Sequence, residues 1–281
     1  MKLIGSFSGG ETSAEMTIWM KENHPDSKFI FANTGLEREE TLIFVDMVDK
    51  TYDLGLVWIE CVIDPDDREN ATYKEVNYWT ASRKGEPFRA MIEAYGIPNV
   101  KYLHCNRETK TRPMRKWWME NYPDHLMAIG IRCDELDRVN PSYKEKNLCY
   151  PFAFWEPMTK PQINRRWRDR PFRLELKHYE GNCKTCWKKS FPKLAYIMKE
   201  NPEYFDFFEE MEEKHAYTNR PKAPYPMRFF YDHKTVADIR EMSKKAVEPV
   251  DDAKDYTSMG ANYDILGYDV DACGSETCEA F

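Results

Sequence analysis

Several short stretches of this chain gather residue types that can do chemistry. Ser6-Phe7-Ser8-Gly9-Gly10-Glu11-Thr12-Ser13 carries two glycines, which let successive backbone N–H groups point at an anion beside a helix N-terminus. Ser6, Ser8, Thr12 and Ser13 add hydroxyl donors to that turn. Asn33-Thr34-Gly35 is a second polar glycine turn. Gly130-Ile131-Arg132-Cys133-Asp134-Glu135 is a third, with Arg132 suited to a phosphate or sulfate and Asp134 to a metal or a ribose. Cys183-Lys184-Thr185-Cys186 spaces two thiols so that both can face one ion, at the start of an expected helix whose N–H groups would lower their pKa values.

One such pair is half of a tetrahedral site. Cys105 is the expected third ligand, since His104-Cys105 leads into a basic segment with Arg107, Lys110, Arg112, Arg115 and Lys116. The fourth position falls to Cys149, to Cys133, to a tail cysteine, or stays open. An all-thiolate set suits a [4Fe-4S] iron–sulfur cluster or zinc, the remaining alternative being reduced thiols without a metal. The tail holds Cys273 and Cys278 in Cys273-Gly274-Ser275-Glu276-Thr277-Cys278. There a thiolate activated by a nearby lysine or arginine could attack sulfur, with the second thiol resolving the product.

Two features have competing interpretations. Ser8-Gly9-Gly10-Glu11 fits a capping box, in which Glu11 serves the helix start and not a ligand. Five arginines lie between Arg165 and Arg173, interleaved with Trp167 and Phe172. They suit either a nucleic-acid strand or ion pairing with the acidic run Glu209-Glu210-Met211-Glu212-Glu213. Cys61, inside a β-rich apolar run, reads as a small buried hydrophobe.

The elements that must position these residues follow from periodicity. Strands are expected at 2–7, 28–32, 56–62 and 126–131, and helices at 12–22, 37–52, 87–95 and 112–121. Strands separated by helical segments imply βαβ units, so an α/β doubly wound, mostly parallel sheet is expected, with its polar turns at adjacent carboxyl ends. After Cys149 the chain turns rich in proline, arginine and aromatics, with helices near 159–167, 184–199, 203–215 and 234–245. We therefore divide it into a nucleotide-binding α/β domain over 1–150, a helical cysteine-bearing extension over 151–249 and an acidic tail over 250–281.

The chain has 281 residues, of which 42% are hydrophobic and 14% aromatic, enough for one large domain with an appendage and too much for a disordered chain. Its net charge of −7 argues against a general nucleic-acid coat and leaves room for a local basic patch. No apolar run approaches the roughly 18 residues of a membrane span, and the N-terminus lacks a signal-peptide core. A cytoplasmic protein without a membrane partner is expected, in which thiols stay reduced.

Four motifs in order carry a resemblance: Ser-Phe-Ser-Gly-Gly-x-Thr-Ser from Ser6, Asn-Thr-Gly-x-Glu-x-x-Glu-Thr from Asn33, Cys-x4-Lys-x2-Pro from Cys105, and Gly-Ile-Arg-x-Asp-Glu from Gly130. Together they resemble the phosphoadenosine-phosphosulfate reductase family, within the PP-loop ATP pyrophosphatase or adenine nucleotide alpha hydrolase superfamily. The later Gly181-Asn182-Cys183-x-x-Cys186-x-Lys188-Lys189-Ser190 is similar to phage and bacterial members. The resemblance implies that Ser8, Gly9 and Gly10 hold phosphate, that Thr34 and Gly35 lie by adenosine, and that Lys110 and Arg132 face the reacting anion. It also implies an iron–sulfur ligand at Cys105 and a mobile nucleophilic cysteine near the C-terminus. ATP-cleaving relatives usually have lysine where Glu11 stands and aspartate where Thr12 stands, and Asn33 replaces a more frequent aspartate.

The leading expectation is sulfonucleotide reduction on adenylyl sulfate or its 3′-phosphate, with thioredoxin or glutathione as thiol donor. One alternative is adenylation with ATP and magnesium, followed by sulfur insertion into a nucleic acid. Another is a nucleotide-binding module with structural zinc and no catalysis.

Overall fold

A computed structural model of the chain describes residues 1–64, 66–219, 222–230 and 233–249. The central sheet is built from β1 (Leu3–Ser6), β2 (Lys28–Asn33), β3 (Val57–Asp64), β4 (Asp67–Val76), β5 (Leu126–Ala128) and β6 (Leu148–Cys149). Their order across the sheet is β4-β3-β2-β1-β5-β6. Every neighbouring pair is parallel except β3 with β4, which is an antiparallel hairpin. The chain thus moves outward from β1 to β4, then returns to lay β5 on the other side of β1. The order reverses between β1 and β5, and in open α/β sheets a ligand crevice forms at the carboxyl ends of the strands flanking such a reversal.

Side-chain alternation explains why helices cover both faces. Leu3, Phe29, Phe31 and Trp58 point to one face, where they pack with Ala14, Met16 and Ile18 of α1 (Glu11–Asn23) and with Leu42, Phe44, Val45 and Val48 of α2 (Glu39–Tyr52). Ile4, Ile30, Ala32 and Ile59 point to the other, against Met114, Trp117 and Trp118 of α5 (Arg112–Asn121). Right-handed crossovers running in opposite directions from β1 require this two-sided arrangement. The expected doubly wound α/β sheet is therefore observed.

The region after β6 is helical, as expected. It contains α6 (Lys160–Arg168), α7 (Phe191–Glu200), α8 (Asp206–His215) and α9 (Val236–Ser243). With α3 (Glu86–Tyr95), the last three build a separate core around Phe205, Phe208, Phe229, Phe230 and Ile239. Cys61 and Ile63 at the end of β3 join that core, which fixes it to the carboxyl edge of the sheet. The apolar reading of Cys61 holds, since it is buried and burial pushes its thiol up to about 12.

Several elements differ from expectation. β4 is absent from the sequence reading because Asp67-Arg68-Glu69-Asn70 looks like a loop. It forms nonetheless as a polar sheet-edge strand, a place where charged residues are tolerated and deter further pairing. The strand expected at 126–131 stops at Ala128, and its last residues form the turn that reaches the crevice. The helix expected at 184–199 begins only at Phe191, so the two cysteines before it lie in a loop and gain nothing from a helix start. Pro192 has no N–H to give the carbonyl of Lys188, and so opens this helix instead of continuing one.

Candidate functional site

The loop after β1 wraps closely around the start of α1. Its Gly9 has φ +91°, and a methyl group there would meet the Thr41 Cγ2 at 2.7 Å. The expected capping box does not form. Gly10 is the N-cap, the Ser8 N–H donates to the Ser13 Oγ at 3.1 Å, and the Ser13 Oγ donates to the Gly10 carbonyl at 3.0 Å. The Ser8 and Ser13 hydroxyls are 2.8 Å apart. Ser6, Ser8, Thr12 and Ser13 are all buried. Glu11 turns away from the Ser8 amide and takes Arg173, with Nε to Oε1 at 3.0 Å and Nη2 to Oε2 at 3.1 Å.

The turn after β5 comes to meet this loop. A Cβ at Gly130 would lie 3.0 Å from the Ser13 Cα, so any side chain there would press on the start of α1 and glycine eases the approach. Arg132, buried, then donates from Nη1 to the Thr12 Oγ1 at 3.3 Å and pairs with Asp134 at 2.8 Å and Glu135 at 3.1 Å. Arg132, Asp134 and Thr12 thus converge at the point where the strand order reverses.

The third turn is braced from inside. Asn33 does not present its amide to a ligand. Its Nδ2 donates to Glu60 at 2.7 Å and to the Ser82 carbonyl at 2.9 Å, while its Oδ1 accepts the Gly35 N–H at 3.1 Å. Glu37, which the sequence reading left without a role, is buried here. It accepts the Thr34 N–H at 2.9 Å and the Thr34 hydroxyl, and stands 3.5 Å from the Lys110 Nζ. Lys110 sits in a π-helical turn, Arg107–Thr111, between the short helix α4 (His104–Asn106) and α5. Turns of this kind often mark functional positions.

The cysteine loop is stitched to this third turn. Arg38 N–H donates to the Asn182 carbonyl at 2.7 Å, the Lys184 N–H to the Leu36 carbonyl at 2.9 Å, and Glu37 and Cys183 form an antiparallel bridge. The side chain of Asn182 donates to the Ser8 carbonyl at 2.9 Å. Asn182 is therefore a clamp between two polar turns. The sequence signal for it was weak, because its partners lie far away along the chain.

Thr34, Lys110, Thr185 and three cysteines, Cys105, Cys183 and Cys186, line one cavity, walled by Leu36, Phe88, Trp187 and Phe208. Its space, including the open mouth, is about 460 Å³. Among the described residues the buried Thr185 hydroxyl has no hydrogen-bond partner. Three soft donors around one space suit zinc or an iron–sulfur group by chemistry. As placed, no three His, Cys, Asp or Glu side chains among the described residues are close enough together to hold an ion. Cys149 lies elsewhere, in the core beside Phe152 and Trp167, and burial pushes its thiol up to about 12. None of the six described cysteines is in a disulfide. Cys273 and Cys278 lie outside the described residues.

The arginine-rich stretch is engaged with α1 and not with the acidic run of α8. Arg166 and Arg170 reach the buried Glu15 at 3.0 and 2.7 Å, and Arg173 reaches Glu11. In α8, Glu210 instead pairs with Arg89 and Lys214, and Glu209 with Arg240. The carboxylates of α1 are nearer to the stretch because Trp167 anchors it there, its Nε1 donating to the Glu11 carbonyl at 2.9 Å.

Residues 2–147, more than half of the chain, match the model of the phosphoadenosine phosphosulfate reductase domain. An uncharacterised nin region protein of Escherichia phage lambda is 30% identical over 206 residues, which cover 70% of this chain and 69% of that one. Two uncharacterised proteins of Methanocaldococcus jannaschii are 30% and 28% identical over 45% and 50% of this chain. The matches cover only 22% and 29% of those two longer proteins. Among the described residues no helix is long and apolar enough to cross a membrane.

Proposed function

Because the chain belongs to the phosphoadenosine phosphosulfate reductase domain family, we propose that it reduces a sulfonucleotide, adenylyl sulfate or its 3′-phosphate, with thiols. The family implies adenosine-nucleotide binding and sulfur chemistry. The observation that carries the finer reading is the shared cavity, in which Thr34 of a nucleotide-side turn stands with Lys110, Cys105, Cys183 and Cys186.

In this reading the amides of Ser8, Gly9 and Gly10 hold phosphate, Thr34 and Gly35 flank the adenosine, and Arg132 and Lys110 face the sulfonate. Arg132 and Lys110 are both buried, where water screens charge poorly, and carboxylates hold each in place, Asp134 and Glu135 for Arg132 and Glu37 for Lys110. A tail thiolate, Cys273 or Cys278, attacks the sulfonate sulfur. The bond from that sulfur to the adenylate oxygen breaks and adenylate leaves. A second thiol, from the other tail cysteine or from thioredoxin or glutathione, then attacks the cysteine sulfur. A disulfide forms and sulfite departs with the electron pair, so two thiols supply the two electrons. The family resemblance implies an iron–sulfur group or zinc. Cys105, Cys183 and Cys186 line one cavity and would hold such a group only if drawn closer together than they stand here, so none of these steps is routed through it.

The test mixes the full-length chain, purified without oxygen, with adenylyl sulfate and reduced thioredoxin. Release of sulfite and adenylate is expected. Cys273→Ser with Cys278→Ser should abolish it, and sulfite at the unmodified rate would remove the tail from the mechanism. Iron, sulfide and zinc assays on the same preparation read the thiol centre, and Cys183→Ser should lower the metal content.

A further inference from the structure

Helix α1 opens with an electrostatic contradiction. The loop amides before it offer positive partial charge to an anion, yet its first residue is Glu11 and its fifth is Glu15, both with side chains less than a tenth exposed. An anion held by those amides would share the first turn of α1 with Glu11, a separation on the order of the Debye length at physiological salt, about 8 Å. At about 8 Å in water-like surroundings the repulsion would weaken binding about two- to threefold for each unit of anion charge.

The extension resolves this. Arg173 grips Glu11 through two nitrogens at 3.0 and 3.1 Å. Arg170 takes Glu15 through Nε and Nη2 at 3.0 and 2.7 Å, and Arg166 takes it at 3.0 Å. Trp167, fully buried against Phe44, fastens the same stretch to the Glu11 carbonyl. Three guanidinium groups face two carboxylates, so the start of α1 is left with a positive balance only while the stretch is seated.

We infer that Arg173 is a positioning residue of the phosphate site. By cancelling the charge of Glu11 it lets the loop after β1 accept an anionic nucleotide, and it makes nucleotide affinity depend on the extension being docked on α1. The inference rests on the nucleotide-binding reading above and adds to it the group that makes the loop electrostatically competent.

Calorimetric titration of the full-length chain with adenylyl sulfate, and with adenosine as the uncharged probe, tests it. Arg173→Gln should weaken adenylyl sulfate, with its two negative charges, about four- to ninefold and leave adenosine unchanged. Glu11→Gln in the same chain should restore the affinity, and Glu11→Gln alone should match or exceed the wild type. A double variant as weak as Arg173→Gln would overturn the inference, as would equal losses for both probes. If a thermal melt shows Arg173→Gln unfolded, Glu11→Gln decides alone, and a weaker affinity than wild type would count against the inference. A wild-type chain that bound neither probe would overturn the nucleotide reading itself, whereas wild-type binding with an indifferent Arg173→Gln would overturn only this inference.

Discussion

Gly9 and the two most buried thiols show how much a single residue's surroundings decide. At φ +91° and with Thr41 2.7 Å from any added methyl, Gly9→Ala combines left-handed strain with overpacking. A loss of about 2–4 kcal/mol is expected in urea denaturation, together with loss of nucleotide binding, and a variant of wild-type stability would show that the loop is looser than described. Cys61 and Cys149 have thiols pushed up to about 12 by burial. In native protein at pH 8, iodoacetamide should leave both unlabelled and should reach them only after urea, as mass spectrometry would show. Above about pH 8.5 the unfolded chain gives up thiol protons that the folded chain keeps. Each therefore makes stability fall as pH rises from there toward 12. The placement of Cys61 was readable because Val57, Trp58, Ile59, Val62 and Ile63 around it are strand formers. The roles of Glu37 and Asn182 were not, since each depends on a partner brought close only by the fold.

Among the elements, α6 packs on α1 at one face of the sheet. Trp167 is fully buried between Phe44 and Phe172 and donates to the Glu11 carbonyl. Trp167→Ala should cost about 3–5 kcal/mol in urea denaturation, and a cost under 1 kcal/mol would mean that α6 is held by its ion pairs alone. The parallel strands and the helices between them were legible because apolar residues recur at periods near two and near 3.6. β4 was hidden by its polar edge position. The late start of α7 was hidden by an apolar spacing that runs through Pro192 without regard to the missing N–H. The arginine stretch was legible as a paired surface, but its partner was misjudged because charge composition does not say which carboxylates stand nearest.

On the scale of the whole molecule, the sheet carries the three polar turns and the extension completes them. Amide hydrogen exchange should show Arg38 and Lys184 opening together, because their N–H groups close the same pairing between residues 36–38 and 182–184. Independent exchange rates would indicate that the cysteine loop moves without the third turn. About half of the chain lies between Glu37 and Cys183, so this short pairing closes a very long loop. A nascent chain leaving the ribosome can assemble the parallel sheet well before it can make that closure. Cys183 and Cys186 therefore meet the nucleotide side only after the sheet has formed, and any metal they take up would be loaded after that step.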